Sequence, residues 1–478
     1  MPTRQSLRVG KGGAGVTDLS VGNTSKPIEA NMDNAESVTS VSTIQGQIAA
    51  MAKRYPDRGL TSLNKYLDED WLRAAFKQLR KGGATGVDGV SAEEYGKNLD
   101  ERLPDLVNRA KSGSYRAPAV RRTYIEKPGK REKRPLGIPT TESKLLQKAV
   151  VMLLEPIYEN EFYDFSYGFR PGRSCHQALK AIRDSIMTER ASWILEADIR
   201  HFFDELPHTH LREIVRHRVR DGVITRLIDK WLKAGVLEAE QWTRTEEGTP
   251  QGGVISPLLS NIFLHEVLDK WFAEQIKPRL QGRCFLVRYA DDFIMGFEYR
   301  RDAARVLEVL WKRFARFGLE LHPEKTRIVP FRRPRRDDDK KDKGGSQSFD
   351  FLAFTHYWGK SLKGTWVVKT KTAKDRLCRS LKVINRWCRK NRHLKLHVQQ
   401  AALRQKMLGH YAYFGISGNS QSLHQYAEGV RYYWHKWLRR RHRWNNHWDW
   451  EWYERTIAAN YPLPRPRIVH SVYHRANP

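Results

Sequence analysis

Two apolar runs, Phe285 to Tyr289 and Phe293 to Phe297, are separated only by Ala290-Asp291-Asp292. Short runs rich in Phe, Val and Ile read as β-strands, and a link this short reads as a hairpin. Strands so apolar belong in a core, so the hairpin commits this part of the chain to a packed sheet. It also carries two adjacent acids to the edge of that core, where an ionised carboxylate is costly without a partner. Asp-Asp is a common turn dipeptide, and by itself it would decide nothing.

A third acid makes the difference. Trp193 to Ile199 is a short apolar strand ending on Asp198, 93 residues before Asp291. Helical spacing follows through Leu211, Ile214, Val215 and Val219. Then come a Gly/Pro-rich turn, a helix from Ser256 to Trp271, the acid-tipped hairpin, a helix from Val306 to Phe317 and an extended stretch from Leu319 to Phe331. This order predicts an α+β fold, a βαββαβ-like antiparallel sheet with helices on one face. If the strands are neighbours, Asp198, Asp291 and Asp292 converge. Clustered carboxylates repel unless a divalent cation lies between them, and Mg²⁺ prefers such hard oxygen ligands. Two ions roughly 3.5–4 Å apart can activate an attacking hydroxyl and stabilise the leaving oxygen of a phosphoryl transfer.

Charge bears on what such chemistry acts upon. The 478 residues include 85 Lys+Arg against 54 Asp+Glu, a net charge of +31. Nucleic acid is the usual polyanion to offset such self-repulsion. From Ser361 to Pro478 there are 24 Lys+Arg, 5 Asp+Glu and 8 of the 15 Trp, a mixture suited to backbone contact and base stacking. Arg439, Arg440, Arg441 and Arg443 crowd one short stretch and are candidate phosphate contacts. No apolar run approaches the ~18 residues of a membrane span. The N-terminus lacks a secretory apolar stretch. The four cysteines form no C-x-x-C pair, against a disulfide scaffold or a cysteine-rich zinc module. An intracellular, soluble protein is expected.

Residues 1–45, rich in Gly, Ser, Thr and Asn, read as flexible, and the extension is expected to run to residue 58. Trp71, Leu72, Ala75, Phe76 and Leu79 mark a helix face. Tyr124 to Pro139 reads as a basic hairpin turning at Pro128-Gly129, followed by a helix through Leu145, Leu146, Ala149, Leu153 and Ile157. The charge blocks of Arg332 to Gln347 read as an exposed loop. Beyond it come short strands and helices, with Leu377, Leu381, Ile384 and Trp387 on one face and Tyr426, Val430, Tyr433, Trp434, Trp437 and Leu438 on another.

Tyr289-Ala290-Asp291-Asp292 resembles the YADD signature of reverse transcriptases, and Asp198 to Asp204 resembles their other metal-binding segment. Gly248 to Leu258 (GTPQGGVISPL) is similar to the family's segment along the nascent base pair. Arg134 to Pro139 and Gly168 to Ser174 match its fingers. Gly409 to Asn419 (GHYAYFGISGN) resembles the maturase region of bacterial group II intron proteins, and Leu463 to Val469 looks like their C-terminus. The resemblance implies a right-hand polymerase: fingers over 59–191, a palm over 192–368, a helical thumb/maturase domain over 369–447 and a basic tail over 448–478.

It also implies roles. Asp198 and Asp291 would ligate two Mg²⁺ ions, with the Ile199 carbonyl as a further ligand and Asp292 in support. Phe203 matches the steric gate against a nucleotide 2′-OH, although a core Phe at a helix start explains it equally. Lys127 and Arg134 would grip the triphosphate, and Gln251-Gly252 would approach the base pair. Glu126 departs from the apolar or Pro residue usual before the fingers Lys. The family's paired Cys endonuclease elements do not occur in this sequence, so the resemblance is to the branch without that nuclease. His442 to His447 offers only the His and Asn that a His-rich chain gives by chance. The implied activity is RNA-directed DNA polymerisation with maturase action on a group II intron RNA, using target DNA, primer and dNTPs, in a bacterial cytoplasmic ribonucleoprotein. The alternatives are a related reverse transcriptase recruited to phage defence or CRISPR, and a non-enzymatic RNA-binding splicing factor.

Overall fold

A computed structural model of the chain describes residues 29–126, 133–203, 206–238, 241–243, 252–334, 347–441 and 448–471. The fold is mixed helix and sheet. Its N-terminal part comprises helices α1 (Glu29–Arg54), α2 (Glu69–Lys77), α3 (Ala92–Lys97) and α4 (Leu99–Ser112), the hairpin β1 (Val120–Glu126) and β2 (Lys133–Ile138), and helix α5 (Thr141–Tyr158). Capping starts these helices where the sequence turns. Asp68 accepts from the Trp71 amide at 2.8 Å, and Thr140 from the Ser143 amide at 3.2 Å. Helix α5 is apolar nearly all round and is correspondingly buried, from Leu145 through Ile157.

The extension expected to be flexible through residue 58 is not so over its second half. Helix α1 packs on α5, with Val41, Ile48 and Ala52 buried in the main core. Arg218 fastens the following turn, donating to the carbonyls of Ala52, Tyr55 and Arg58. The apolar spacing 41, 44, 48, 52 is helical. It was obscured by the polar residues between.

Helix α6 (Cys175–Thr188) precedes the central sheet. In chain order come β3 (Trp193–Ala197), β4 (Ile199–Arg200), helices α7 (His208–Arg218) and α8 (Gly222–Leu232), strands β5 (Val236–Glu238) and β6 (Gln241–Thr243), helix α9 (Ser256–Leu264) running into a π-wound His265–Ile276, the hairpin β7 (Cys284–Tyr289) and β8 (Asp292–Phe297), helix α10 (Arg300–Arg316), and strands β9 (Glu320–Leu321) and β10 (Arg327–Pro330). The central sheet has the order β10-β3-β8-β7, with every pair antiparallel. A second sheet, β2-β1-β5-β6, joins the basic hairpin to the short pair after α8. The stretch expected to be extended from Leu319 to Phe331 is broken between β9 and β10, where the Lys325 and Thr326 amides turn back to the His322 carbonyl.

Helices on one face only were expected, and both faces are covered. Leu195, Leu286, Phe293 and Met295 join the main core with α9 and α10. Ile194, Phe285, Val287 and Ile294 point the other way, onto α6 and a third sheet, the meander β11 (Phe349–Phe351), β12 (Phe354–Lys360) and β13 (Trp366–Thr372). A sheet buried on both faces reads as continuous apolar runs, as these strands do.

Helices α11 (Lys374–Asn391), α12 (Leu396–Phe414) and α13 (Ser420–Arg439) enclose a separate core around Leu403, Tyr411, Val430 and Trp434. The two stretches singled out in this part of the sequence meet. The Gly415 carbonyl accepts from the Val469 and His470 amides at 2.7 and 2.9 Å, and Tyr411 Oη donates to the Pro464 carbonyl at 3.2 Å. Tyr413 and Phe414 pack on Phe354 of β12. The aromatics of 409–414 are thus joints between helices and sheet. Pro128-Gly129, most of the Arg332–Gln347 loop and His442–His447 lie outside the described residues.

Candidate active site

The β3–β8 register ends at the Ala197–Phe293 pair, and one residue farther on each strand come Asp198 and Asp292. Asp291 stands beside them in the two-residue link, after Ala290, whose φ is +58°. The three acids therefore share one edge of the sheet. The Asp198 carbonyl accepts from the His322 amide at 2.8 Å, and Ile199, buried, pairs with Leu321. Lys325, in the turn between β9 and β10, forms an ion pair with Asp198. Nothing in the sequence foretold this contact, which links residues 127 apart.

Asp198 and Asp292 line a cleft of about 640 Å³, and Asp291 adjoins Asp292 in the link between the strands. Its charged lining comprises six acids and three bases, so a locally acidic cleft lies within a chain of net charge +31. Asp292 keeps an exposed edge in the cleft but is otherwise hemmed in by protein. Burial, and then the charges of Asp291 and Asp198, push its carboxyl up to about 7, against the opposing pull of Lys325 and Arg376. Carboxylates crowded in this way favour either a shared proton or a bound cation. Among the described residues, no three His, Cys, Asp or Glu side chains form a metal-holding group by themselves. A cation here would draw its remaining oxygens from backbone, water or substrate, as Mg²⁺ commonly does.

The strand bearing the hairpin contains a group that sequence reading missed. Arg288, fully buried, forms a two-point ion pair with Asp269, also fully buried, with Nε to Oδ1 at 2.8 Å and Nη2 to Oδ2 at 2.5 Å. An arginine inside an apolar strand was the available signal, because a buried guanidinium requires a partner.

The candidate nucleotide contacts divide. Phe203 is half-buried, packed edge-to-face on Phe202 with centroids 5.3 Å apart and against the main core. Gly252 has φ +114°, and a Cβ there would meet the Gly137 carbonyl at 2.6 Å, so the chain must be glycine to lie against β2. Buried Gln147 of α5 anchors the same segment, accepting from the Val254 amide at 2.8 Å. Arg134 lies in β2, paired with Ile125. Lys127 and Gln251 are outside the described residues.

At the far end of the helical unit, Arg439, Arg440 and Arg441 are exposed where α13 ends. Arg440 lies over the Trp437 ring at 5.0 Å, and Arg389 and Arg392 approach the same ring. Arg441 Nη2 donates to the His393 carbonyl at 3.4 Å. Arg443 is outside the described residues. Among the described residues, no helix is long and apolar enough to cross a membrane.

Residues 125–356 match the family model described as reverse transcriptase (RNA-dependent DNA polymerase). That span contains all three acids. The chain is 42% identical over 224 residues to the group II intron-encoded protein LtrA of Lactococcus lactis subsp. cremoris, covering 47% of this chain and 37% of LtrA. It is 34% identical over 330 residues to protein YkfC of Escherichia coli (strain K12), covering 60% of this chain and 84% of YkfC. A weaker likeness, 26% over 274 residues, reaches nuclear intron maturase 2, mitochondrial, of Arabidopsis thaliana, covering 46% of this chain and 37% of that maturase. The chain therefore spans well under half of LtrA, but most of YkfC. With the acid-edged sheet inside the matched span, the chain belongs to the reverse transcriptase family, among the group II intron-encoded proteins.

Proposed function

We propose that this protein is an RNA-directed DNA polymerase that also acts as maturase for its own group II intron RNA, binding it, assisting its splicing and copying it into DNA at a target site. The observation that supports this most is the gathering of Asp198, Asp291 and Asp292 at one edge of the antiparallel sheet, where Asp198 and Asp292 line an acidic cleft in a strongly basic chain. In this reading the fingers are residues 59–191, the palm 192–368, the helical thumb/maturase domain 369–447 and the basic tail 448–478.

Asp198 and Asp291, with the Ile199 carbonyl, would hold two Mg²⁺ ions, which when bound activate the primer 3′-hydroxyl and stabilise the departing pyrophosphate. The primer oxygen attacks the α-phosphorus of the dNTP, and the bond to the bridging oxygen of the β-phosphate breaks. Asp292 would support the metal site from the lining of the cleft. Lys325 holds the Asp198 carboxylate at the cleft wall. Gly252, seated on β2, lies against the hairpin whose Arg134 and Lys127 would meet the triphosphate. The Phe203 ring, fixed by Phe202, would occupy the volume of a 2′-OH. Maturase action needs no side-chain chemistry: a basic surface, with Arg439, Arg440, Arg441 and Arg443 as part of it, favours folded RNA by binding it better than unfolded RNA.

The test is extension of a DNA primer on an RNA template with Mg²⁺ and dNTPs. Wild-type protein should extend the primer, and Asp198→Ala and Asp291→Ala should not. Equal extension by either variant, or none by wild type, would end this reading.

A further inference from the structure

The loop that carries Asp291 is held from below by a buried polar network and from the side by a bare backbone. Arg288 lies two residues before Ala290, and its Nη1 donates to the Ala290 carbonyl at 3.1 Å. The same guanidinium donates to Asn261 Oδ1 at 2.9 Å and grips Asp269 at two points. Asn261 in turn donates from Nδ2 to the Gly168 carbonyl at 2.6 Å. Gly168 lies so close to the loop that a Cβ there would meet the Ala290 amide nitrogen at 2.3 Å. Main-chain bonds complete the contact: the Arg288 amide donates to Phe165 and the Tyr167 amide to Arg288, each at 2.9 Å.

Each part has a cost that packing alone would not select. Arg288 and Asp269 are both fully buried, and apolar residues of similar volume commonly serve a core as well or better than such a pair. Ala290 adopts a left-handed φ of +58°, which is unfavourable for a residue with a Cβ. Strain at that position persists only where surroundings over-determine it, and the Arg288 Nη1 bond to its carbonyl, with Gly168 packed on its amide, supplies that constraint. Asp291 is the next residue.

We infer that Arg288 is a positioning residue: locked by Asp269 and Asn261, it fixes the backbone of Ala290 and so sets where Asp291 stands relative to Asp198. Arg288 touches neither substrate nor ion in this account, and acts through the loop. The inference rests on the reading of these acids as the polymerase centre and adds the device that aligns them. Gly168, in the segment matched to the fingers, braces the same loop at the Ala290 amide and joins the network through Asn261. Two segments far apart in sequence thereby form one support.

Two variants separate positioning from folding. Arg288→Lys keeps a cation opposite Asp269 but cannot fork to Asp269, Asn261 and Ala290 together. The paired change Arg288→Met with Asp269→Leu removes both buried charges, which spares the core an unpaired ion. The readouts are thermal melting, direct Mn²⁺ binding by counting free ion without substrate, and single-nucleotide extension resolved into kcat and KM. The expected result for at least the variant that melts as wild type is Mn²⁺ binding weakened about 10- to 100-fold. Its kcat should fall by about 10²-fold, with KM for dNTP changed little. A wild-type melt with wild-type Mn²⁺ affinity and kcat would overturn the inference. So would a loss of kcat that follows melting temperature alone, across both variants and Gly168→Ala. Failure of the wild-type protein to extend any primer would instead strike the polymerase reading itself.

Discussion

The acidic edge of the central sheet and the basic end of the helical unit are both dense in charge, but they hold it in opposite ways. At the sheet edge key charges are individually tied: Asp198 to Lys325, Glu196 to Arg327, and the loop before Asp291 to the buried Arg288–Asp269 pair. Where α13 ends, Arg439, Arg440 and Arg441 are exposed, and Arg440 shares the Trp437 ring with Arg389 and Arg392 from the end of α11. On the proposed function, the difference follows from what each kind of chemistry would need. Phosphoryl transfer is sensitive to sub-ångström placement of oxygens, so its acids must be pre-set by neighbours. Attraction of a polyanion depends on the number and density of cations, so its arginines can remain mobile and interchangeable. Single changes should therefore be drastic in the first region and gradual in the second.

The largest effect should come from the acids. Asp198→Ala or Asp291→Ala should lower extension on an RNA template by about 10³-fold or more, with melting close to wild type because neither side chain belongs to the apolar core. A loss of only a few-fold would erase the contrast between the two regions. Phe203→Ala tests the wall of the same site: ribonucleotide incorporation relative to dNTP should rise by on the order of 10- to 100-fold. Unaltered sugar selectivity in an active variant would reduce Phe203 to a partner of Phe202.

The basic end should yield by degrees. Changing Arg439, Arg440, Arg441 and Arg443 together to Gln should weaken RNA binding and flatten the log affinity against log salt slope by up to about four units. Arg440 and Arg441 already touch Trp437 and the His393 carbonyl, so a smaller flattening is expected if they keep those contacts when RNA binds. An unchanged slope would leave these residues as solvated helix-end charge, favourable there without any ligand.

The smallest effect is a pH dependence of the helical unit. His410 stacks on Tyr426 with centroids 3.6 Å apart, and burial pushes its imidazole down to about 4. A folded-state pKa below the unfolded value means that unfolding takes up a proton. The stability due to neutral His410 is therefore complete above about pH 6.5 and is lost as pH falls from there toward 4. His410→Phe should flatten the melting temperature across that window, and an identical profile would show that other groups set the acid response.

Local pattern made some of this legible in the sequence and geometry hid the rest. The Asp291-Asp292 hairpin could be read because apolar strands and a short link are encoded by adjacent residues. The convergence of Asp198 on the same edge was an inference about neighbouring strands, and the β3–β8 register agrees with it. The Lys325 and Asp269 contacts could not be read, because each joins a residue to a partner on another element and no local period marks the pair. Helix α1 was passed over for a different reason: the Gly, Ser, Thr and Asn of residues 1–45 set the reading of the whole extension and hid the helical spacing of Ile44, Ile48 and Ala52. The packing of α6 on the second face of the sheet was hidden too, since apolar runs in β7 and β8 look the same whether one face or both are covered.

The claim at the centre of this account is that one chain divides its two activities between these two regions. Asp291→Asn tests it most directly, because it removes one charge at the acidic edge with almost no change of shape. The same preparation should be assayed for primer extension on RNA and for intron RNA binding and splicing. Extension should be lost while RNA affinity and splicing support stay at the wild-type level. A folded Asp291→Asn protein that still extends primers, or that binds intron RNA normally yet no longer promotes splicing, would contradict it.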